Sequence, residues 1–307
     1  MSWSLVIHGG AGLIERQSLS EEREALCRQG LLEALEAGSA ILRDGGSALD
    51  AVQKAVASME DSPLFNAGRG AVLTSEGTVE FDASIMCGKT RRAGAIAAAR
   101  TPKNPILAAR AVLETDRHVL LVGEGADAFI SRMNVEQAAP SYFEVPERKT
   151  QLQRMQARDR YALDHDPDET DTYGTVGAVA LDCLGDLAAA TSTGGMVNQW
   201  PGRVGDSALI GAGTWADNQT CAISGTGQGE AFIRGHCAGR VADRVELRGE
   251  SLDQASHHVI HEELIALGGR GGLIGLDSNG TMVLPFSTGG MFRAWARSDA
   301  VPQSAIW

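Results

Sequence analysis

The stretch Asp164-His-Asp-Pro-Asp-Glu-Thr-Asp-Thr-Tyr-Gly-Thr175-Val-Gly-Ala-Val-Ala-Leu-Asp182 decides how this chain is read. Its first part, residues 164–171, carries acids and a proline and too little apolar surface to offset the entropy of ordering. From Thr175 the pattern changes at once to small and β-branched apolar residues, which read as a buried strand. The join at Gly174–Thr175 admits two readings. It is a surface loop entering a strand, or it is a cleavage point. A cut there frees an N-terminal threonine whose own α-amine can act as the base for its hydroxyl.

The acidic run ends a longer tether over residues 147–172. Its start, 147–160, is basic and helical in pattern, and residues 161–174 form a flexible acidic tail. After the join, strands over 175–182 and 187–193 meet at a Cys183-Leu-Gly-Asp186 turn. Helices are expected over 229–247 and 252–267. A closing hairpin, 273–277 with 281–285, turns at Ser278-Asn-Gly280. Before the tether, a strand at 5–8 stops at Gly9-Gly-Ala-Gly12. Ser20 caps a helix that ends before Gly45-Gly46. Ser47 with Asp50 resembles a capping box ahead of a second helix over 51–59. Strands over 71–74 and 78–86 flank Ser75-Glu-Gly77 as a hairpin. A helix over 105–115, a strand at 118–122 and a helix from Ala126 complete that half. Short strands joined by tight turns, with helices in blocks at either end, favour packed sheets covered by helices, an α+β layered domain.

Composition narrows the function. A chain of 307 residues, 43% hydrophobic, can bury a sizeable core in one large domain or two ordinary ones. A net charge of −12 repels nucleic acid and anionic membranes, so neither is expected as a partner. No apolar run is long enough to span a bilayer, and the first residues lack the basic start and apolar core of a signal peptide. The five cysteines are odd in number and scattered (27, 87, 183, 221, 237), which reads as reduced thiols in a cytoplasmic compartment.

Several familiar motifs fail on context. Val119-Leu-Leu-Val-Gly-Glu-Gly-Ala-Asp-Ala128 imitates a dinucleotide turn, but hairpins rather than consecutive βαβ units are expected around it. Cys87-Gly-Lys-Thr90 imitates the end of a phosphate loop with Ala83 in the first glycine position. His257 and His261 have metal-ligand spacing, yet no glutamate stands next to His257 as in H-E-x-x-H and no third ligand is evident. His8-Gly-Gly10 after a strand resembles an oxyanion loop of serine hydrolases, but no G-x-S-x-G is present. What remains is a set of glycine- and threonine-rich turns after Thr175. Arg203 and Asp206 can grip the two charged ends of an amino acid, the Arg by a forked contact. Ser224-Gly-Thr-Gly-Gln-Gly-Glu230 reads as the opening of a helix, offering backbone N–H groups and a hydroxyl to an oxyanion.

His8-Gly-Gly-Ala-Gly12, Phe65-Asn-Ala-Gly-Arg-Gly70, Gly174-Thr-Val-Gly-Ala-Val-Ala-Leu-Asp182, Thr191-Ser-Thr-Gly-Gly195, Pro201-Gly-Arg-Val-Gly-Asp206 and Gly225-Thr-Gly-Gln-Gly-Glu230 occur in this order. Through them the chain resembles, along nearly its whole length, the plant-type L-asparaginase and isoaspartyl (β-aspartyl) peptidase family of N-terminal-nucleophile hydrolases. The resemblance implies a four-layer αββα sandwich forming a single domain over residues 1–307. It implies self-cleavage into an α subunit, 1–174, and a β subunit, 175–307, assembled as an (αβ)2 heterotetramer. Thr175 is then the nucleophile, and Thr193 tunes it. Arg203 takes the substrate α-carboxylate and Asp206 its α-ammonium. Thr226 and the Gly227 N–H form the oxyanion hole, Gly229 lies against the substrate, and Asn66 supports cleavage and the site network. The implied substrates are L-asparagine and β-aspartyl dipeptides. No cofactor or catalytic metal is implied, only a structural sodium ion on backbone carbonyls of the loop from Glu60 to Phe65. Ala11, Gln228 and Trp200 depart from the family pattern near the substrate entrance, which leaves the leaving-group preference open. A non-cleaving aspartate-binding module and a nicotinamide-dependent enzyme are the alternatives.

Overall fold

The computed structural model describes residues 2–12, 14, 19–157 and 174–307. The expected acidic tail over 161–174 therefore lies outside the described residues, apart from Gly174.

The helix caps act as expected at the start of the chain, but the strand read over 5–8 does not stop at Gly9; it continues to Gly12 past an irregularity between His8 and Gly10. Strand β1 (Ser4–Gly12) leads to α1 (Glu21–Arg43), whose first turn is closed by the Arg23 N–H donating to Ser20 Oγ. Helix α2 (Ala48–Glu60) starts on Ser47, which accepts from the Asp50 N–H at 3.1 Å. The Asp50 carboxylate bonds back to the Ser47 hydroxyl at 2.7 Å, a shortened form of the capping box. The expected 71–86 hairpin is only half formed. Its turn closes, with Thr74 N–H on Thr78 O at 2.8 Å, but residues 71–74 stay irregular. Strand β2 (Phe81–Cys87) pairs instead with β3 (Ala93–Ala99), an alanine- and glycine-rich segment with little strand propensity of its own.

Helix α3 (Pro105–Thr115) connects β3 to β4 (Leu120–Val122), which runs parallel to β3. One crossover unit is therefore present where hairpins were expected. Next come α4 (Gly123–Arg132), α5 (Pro146–Ala157), β5 (Val176–Leu181), β6 (Leu187–Thr193), β7 (Thr214–Ala216) and β8 (Ala222–Gly227). The helix expected over 229–247 breaks into α6 (Gly229–Gly235) and α7 (Cys237–Arg248) at His236, whose φ is +50°. The break seats the His236 ring against Gly211 and Gly239, where an added Cβ would approach it to 2.0 and 2.3 Å. Helix α8 (Leu252–His258) runs through a widened turn, Val259–Glu263, into α9 (Leu264–Ala266). Strands β9 (Gly271–Leu276), β10 (Met282–Val283), β11 (Gly290–Arg297) and β12 (Gln303–Ala305) close the chain.

Two sheets result, with order β12-β11-β1-β5-β6-β2-β3-β4 and β10-β9-β8-β7. Period-two alternation sorts their side chains. On one face of the large sheet Leu5, Ile7, Val176, Ala178, Ala188 and Ala190 join the core formed with α1 and α2. On the other, Val6, Val179, Ala189 and Met86 meet Ala222, Ile274 and Leu276 of the small sheet. The far face of the small sheet, with Ile223 and Leu273, is covered by Phe232, Val241, Val259 and Leu264 of the second helical block. The fold is a mixture of helix and sheet of the α+β kind.

Helix α3 sits so close to β3 that a Cβ on Gly94 would stand 2.2 Å from Ala109 O and Leu113 N. Gly94→Ala should cost on the order of 3 kcal/mol by overpacking and lower the melting temperature by several degrees. An unchanged thermal transition would contradict this seat.

Candidate active site

The same alternation that builds the inter-sheet core ends in a polar mouth. Along each inward face the apolar residue gives way to polar ones two steps at a time. The series run Val179, Gly177, Thr175 toward and past the start of β5; Ala189, Thr191, Thr193 on β6; Ala222, Ser224, Thr226 on β8; and Met86, Ser84, Asp82 on β2. Since the ends of these strands lie side by side, Thr175, Thr193 and Thr226 converge from three separate strands. Gly174, Thr175, Asn66, Thr193, Gly195, Met196, Arg203, Gly205, Asp206 and Gly227 line one cavity there. Its free volume is about 20 Å³, room for about one water. Gly174 forms part of its wall, and no amino acid fits in the space left.

The hydroxyls of Thr193 and Thr226 are both primed as donors. Thr193 Oγ1 accepts from the Gly195 N–H at 3.0 Å and Thr226 Oγ1 from the Ala11 N–H at 3.1 Å, so each O–H is left to point elsewhere. Thr226 and Gly227 do not open a helix, as the glycine-rich pattern suggested. They end β8, paired with Gly272 and Gly271 of β9, and α6 starts only at Gly229. Asn66 clamps the turn after β6, donating to Gly195 O at 2.8 Å and accepting from the Val72 N–H at 2.9 Å.

Arg203 and Asp206 ride on a loop that β2 anchors. The Asp82 carboxylate accepts from the N–H of Gly205 at 2.7 Å and of Ala98 at 3.0 Å. Glu80 accepts from the Gly202 N–H at 2.7 Å and from Arg100 at 2.6 Å. The Arg203 guanidinium is held through Nε and Nη2 on Glu230, at 3.0 and 2.9 Å, and not by Asp206. Burial pushes the Asp206 carboxyl up to about 7, against the pull of Arg203 and with Asp82 and Glu230 adding to the rise. Its Oδ2 is buried without a hydrogen-bond partner. Gly229 keeps this corner open, since a Cβ there would come within 2.8 Å of Arg203 and 3.0 Å of Asp206.

Sequence reasoning missed Asp82, Glu80 and Glu230. Asp82 alternates with Phe81 and Ala83 in a strand, so a polar residue on a buried face was the available signal. Glu230 had no such mark. Of the other motifs, the His8-Gly-Gly10 loop adjoins this mouth, a Cβ on Gly10 coming within 2.3 Å of the Gly174 nitrogen, and the dinucleotide-like turn and the paired histidines stay apart from it. Gly123–Ala128 lies at the sheet edge on β4 and α4, where Gly125 meets nothing within 4 Å of an added Cβ. The His257 and His261 rings stack at 4.3 Å. No cluster of three His, Cys, Asp or Glu that could hold a metal occurs among the described residues. None of the helices described is long and apolar enough to cross a membrane.

The family model for asparaginase matches residues 1–306. An isoaspartyl peptidase of Salmonella typhimurium is 49% identical over 306 residues, covering 99% of this chain and 98% of the relative. One of Escherichia coli is 47% identical, covering 99% and 95%. An isoaspartyl peptidase/L-asparaginase of Danio rerio is 42% identical, covering 96% and 92%. Because the match takes in every segment that lines the Gly174–Thr175 cavity, the chain belongs to the asparaginase family.

Proposed function

We propose that this chain is a self-processing threonine amidohydrolase that cleaves isoaspartyl dipeptides and hydrolyses L-asparagine to L-aspartate and ammonia. The observation that carries this is Thr175 at the head of β5, in one cavity with Thr193, Arg203, Asp206 and Gly227, and with its own preceding residue as a wall. The two sheets packed face to face, with helices outside, support an αββα sandwich over the whole chain as its fold.

In maturation Thr175 Oγ attacks the carbonyl carbon of Gly174 and the amide nitrogen leaves as the new α-amine, an N-to-O acyl shift. Water then cleaves the ester, giving residues 1–174 and 175–307, which stay together and pair as (αβ)2. Release of Gly174 opens the site. The α-amine, with an ordinary pKa of about 7.7–8.0, accepts the Thr175 hydroxyl proton. The substrate is held by its α-carboxylate on Arg203 and its α-ammonium on Asp206, whose unpartnered Oδ2 suits a cation. Thr175 Oγ attacks the side-chain carbonyl, and Thr226 O–H and Gly227 N–H stabilise the oxyanion, a donor being worth about 3–4 kcal/mol. Ammonia or an amino acid leaves, and water hydrolyses the β-aspartyl ester. Thr193 tunes the nucleophile, Asn66 holds the turn behind it, and Gly229 gives the substrate room. A sodium ion would sit on main-chain oxygens of residues 60–65. The Glu60 oxygen lies against Gly68 and the Pro63 and Phe65 oxygens against Gly70, where a Cβ would come within 2.5, 2.8 and 2.1 Å of them, so the loop offers hard oxygen donors of the kind sodium takes. Free cysteines fit a cytoplasmic setting.

Denaturing gels of purified protein should show two fragments, the smaller starting Thr-Val-Gly-Ala. Thr175→Ala should remain one chain and be inactive, and Thr175→Ser should cleave more slowly. An intact parent chain that releases no aspartate after long incubation would sink the proposal.

The acid limb of the pH profile carries a second test. Asp206 in the empty site takes a proton near pH 7 and then no longer attracts the ammonium, whereas in the complex the ammonium keeps it ionised. The plot of log kcat/KM should therefore fall with a slope near two below about pH 6.5, and log kcat with a slope near one. Asp206→Asn should weaken binding and reduce the first slope to one. Equal slopes in the parent would exclude this role for Asp206.

Beyond the inner cavity lies a cleft of about 850 Å³ that shares Met196 and Arg203 with it and is lined by Trp200, Gln228 and Arg234. Trp200 is 79% exposed there, an aromatic surface for the second residue of a dipeptide. Trp200→Ala should raise KM for β-Asp-Leu by about fivefold and leave KM for L-asparagine unchanged. Equal effects on both substrates would remove Trp200 from leaving-group selection.

A further inference from the structure

Beneath the three threonines lies a second row that the mechanism above does not use. Two residues inward on the same faces stand Gly177, Thr191 and Ser224. The space below Thr175 is filled by a contact between two other residues, since a Cβ on Gly177 would come within 2.0 Å of Ser224 Oγ and 2.4 Å of His8 Nε2. His8 is opposite Gly177 in the β1–β5 register, and its Nδ1 lies 3.0 Å from the carbonyl oxygen of Thr175.

The direction of these bonds follows from elementary bookkeeping. A carbonyl only accepts, so Nδ1 carries the proton. Burial holds the imidazole neutral, its pKa lowered to about 3, which leaves Nε2 as an acceptor. Ser224 Oγ, 2.9 Å away, donates to it and accepts from the Thr191 hydroxyl at 2.7 Å. Thr191 in turn accepts from Thr214 at 2.5 Å. Ser84 continues the row, with its hydroxyl 2.8 Å from Thr214 Oγ1 and 2.6 Å from the main-chain oxygen of Ser207, next to Asp206. His8, Ser84, Thr191, Thr214 and Ser224 are all fully shielded from solvent. Ser84 has one proton to share between Thr214 Oγ1 and Ser207 O, and Thr191 can also turn to Gly213 O at 3.3 Å, so the row has few arrangements, and each missing member strands a polar atom.

We propose that this row is a positioning network for the nucleophile, in which His8 pins the carbonyl of Thr175 and the hydroxyls of Ser224, Thr191, Thr214 and Ser84 hold His8 in the Nδ1–H form. The proposal rests on the threonine-nucleophile reading. Once the bond to Gly174 is cut, Thr175 has no chain before it, and the direction of its carbonyl sets how its amine and hydroxyl are turned. Pinning that oxygen fixes the reacting geometry, where small misplacements are expensive. The same row links the nucleophile to the segment that carries Asp206. These are positioning residues; none touches substrate.

Thr191→Val keeps the shape of the side chain and removes the hydroxyl, whereas Thr191→Ser keeps the hydroxyl and removes a methyl group. Self-cleavage rate and kcat should fall about tenfold in Thr191→Val and Ser224→Ala, as for loss of one buried hydrogen bond, with KM changed less than about twofold. Thr191→Ser should restore most of the rate. A role in packing alone reverses that order, because valine fills the space that threonine does, whereas a role in stability alone lowers the melting temperature of Thr191→Val without changing the kcat of the folded protein. Equal rates in parent and Thr191→Val, or a Thr191→Ser variant as slow as Thr191→Val, would overturn the proposal. A second readout needs no turnover. Nitrogen-15 spectra of histidine-labelled parent protein at pH 6–8 should show His8 protonated at Nδ1 alone, with its Nε2 resonance displaced in Ser224→Ala. A proton on Nε2 would overturn the proposal even if the enzyme is active. If the parent neither cleaves nor turns over, the functional reading fails while this spectrum still tests the network.

Discussion

The packing of one sheet face against another is the constraint on which the rest of this molecule depends. The layer between the sheets is dry at its centre, where Val6, Val179, Ala189, Ala222 and Ile274 meet, and strand geometry commits every second residue to it. Once those residues are set, the inward positions at the strand ends are set too. Thr175 and Thr193 line one cavity, and Thr226 stands beside its Gly227 wall, because each is an even number of residues from an apolar anchor. A shift of one residue in any of these strands would turn its threonine away and expose its core residues. Core and site are thus specified by the same registers.

Charge at the mouth is arranged around what has to be held there. Asp206, Asp82 and Glu230 lie near one guanidinium, Arg203. Asp82 and Glu80 use their oxygens on main-chain N–H groups and fix the loop. Asp206 keeps one oxygen unpartnered, and burial, with Asp82 and Glu230 adding, raises its pKa against the pull of Arg203. On the proposed reading, a cation brought by a substrate supplies the missing partner. A carboxylate kept under-paired in this way destabilises the empty protein and favours the filled one.

Much of this was legible where the sequence acts locally. Ser20 and Ser47 cap the helices as read, Pro105 opens α3, and residues 187–193 form their strand as expected. The glycine- and threonine-rich turns did meet at one cavity. What was not legible depends on distant partners. The segment Ala93–Ala99 has almost no strand signal and is a strand because β2 and β4 flank it. Thr226 and Gly227 belong to a strand and not to a helix start, because β9 pairs with them through glycines that leave room. His236 breaks a helix that its own neighbours favour, because Gly211 and Gly239 offer its ring a seat. Asp82 and Glu230 took their places through loops more than 25 residues away in sequence.

The cavity of about 20 Å³ with Gly174 as a wall has a consequence for timing. On the proposed reading the chain carries its own plug, and the residue that removes the plug is the one the plug covers. Removal needs solvent water but no second protein, so the onset of activity is a first-order clock whose half-time is the same in dilute and concentrated protein. Each copy runs that clock once. The folded precursor is therefore silent while it assembles, and the population switches on at a rate written into the geometry around a single peptide bond.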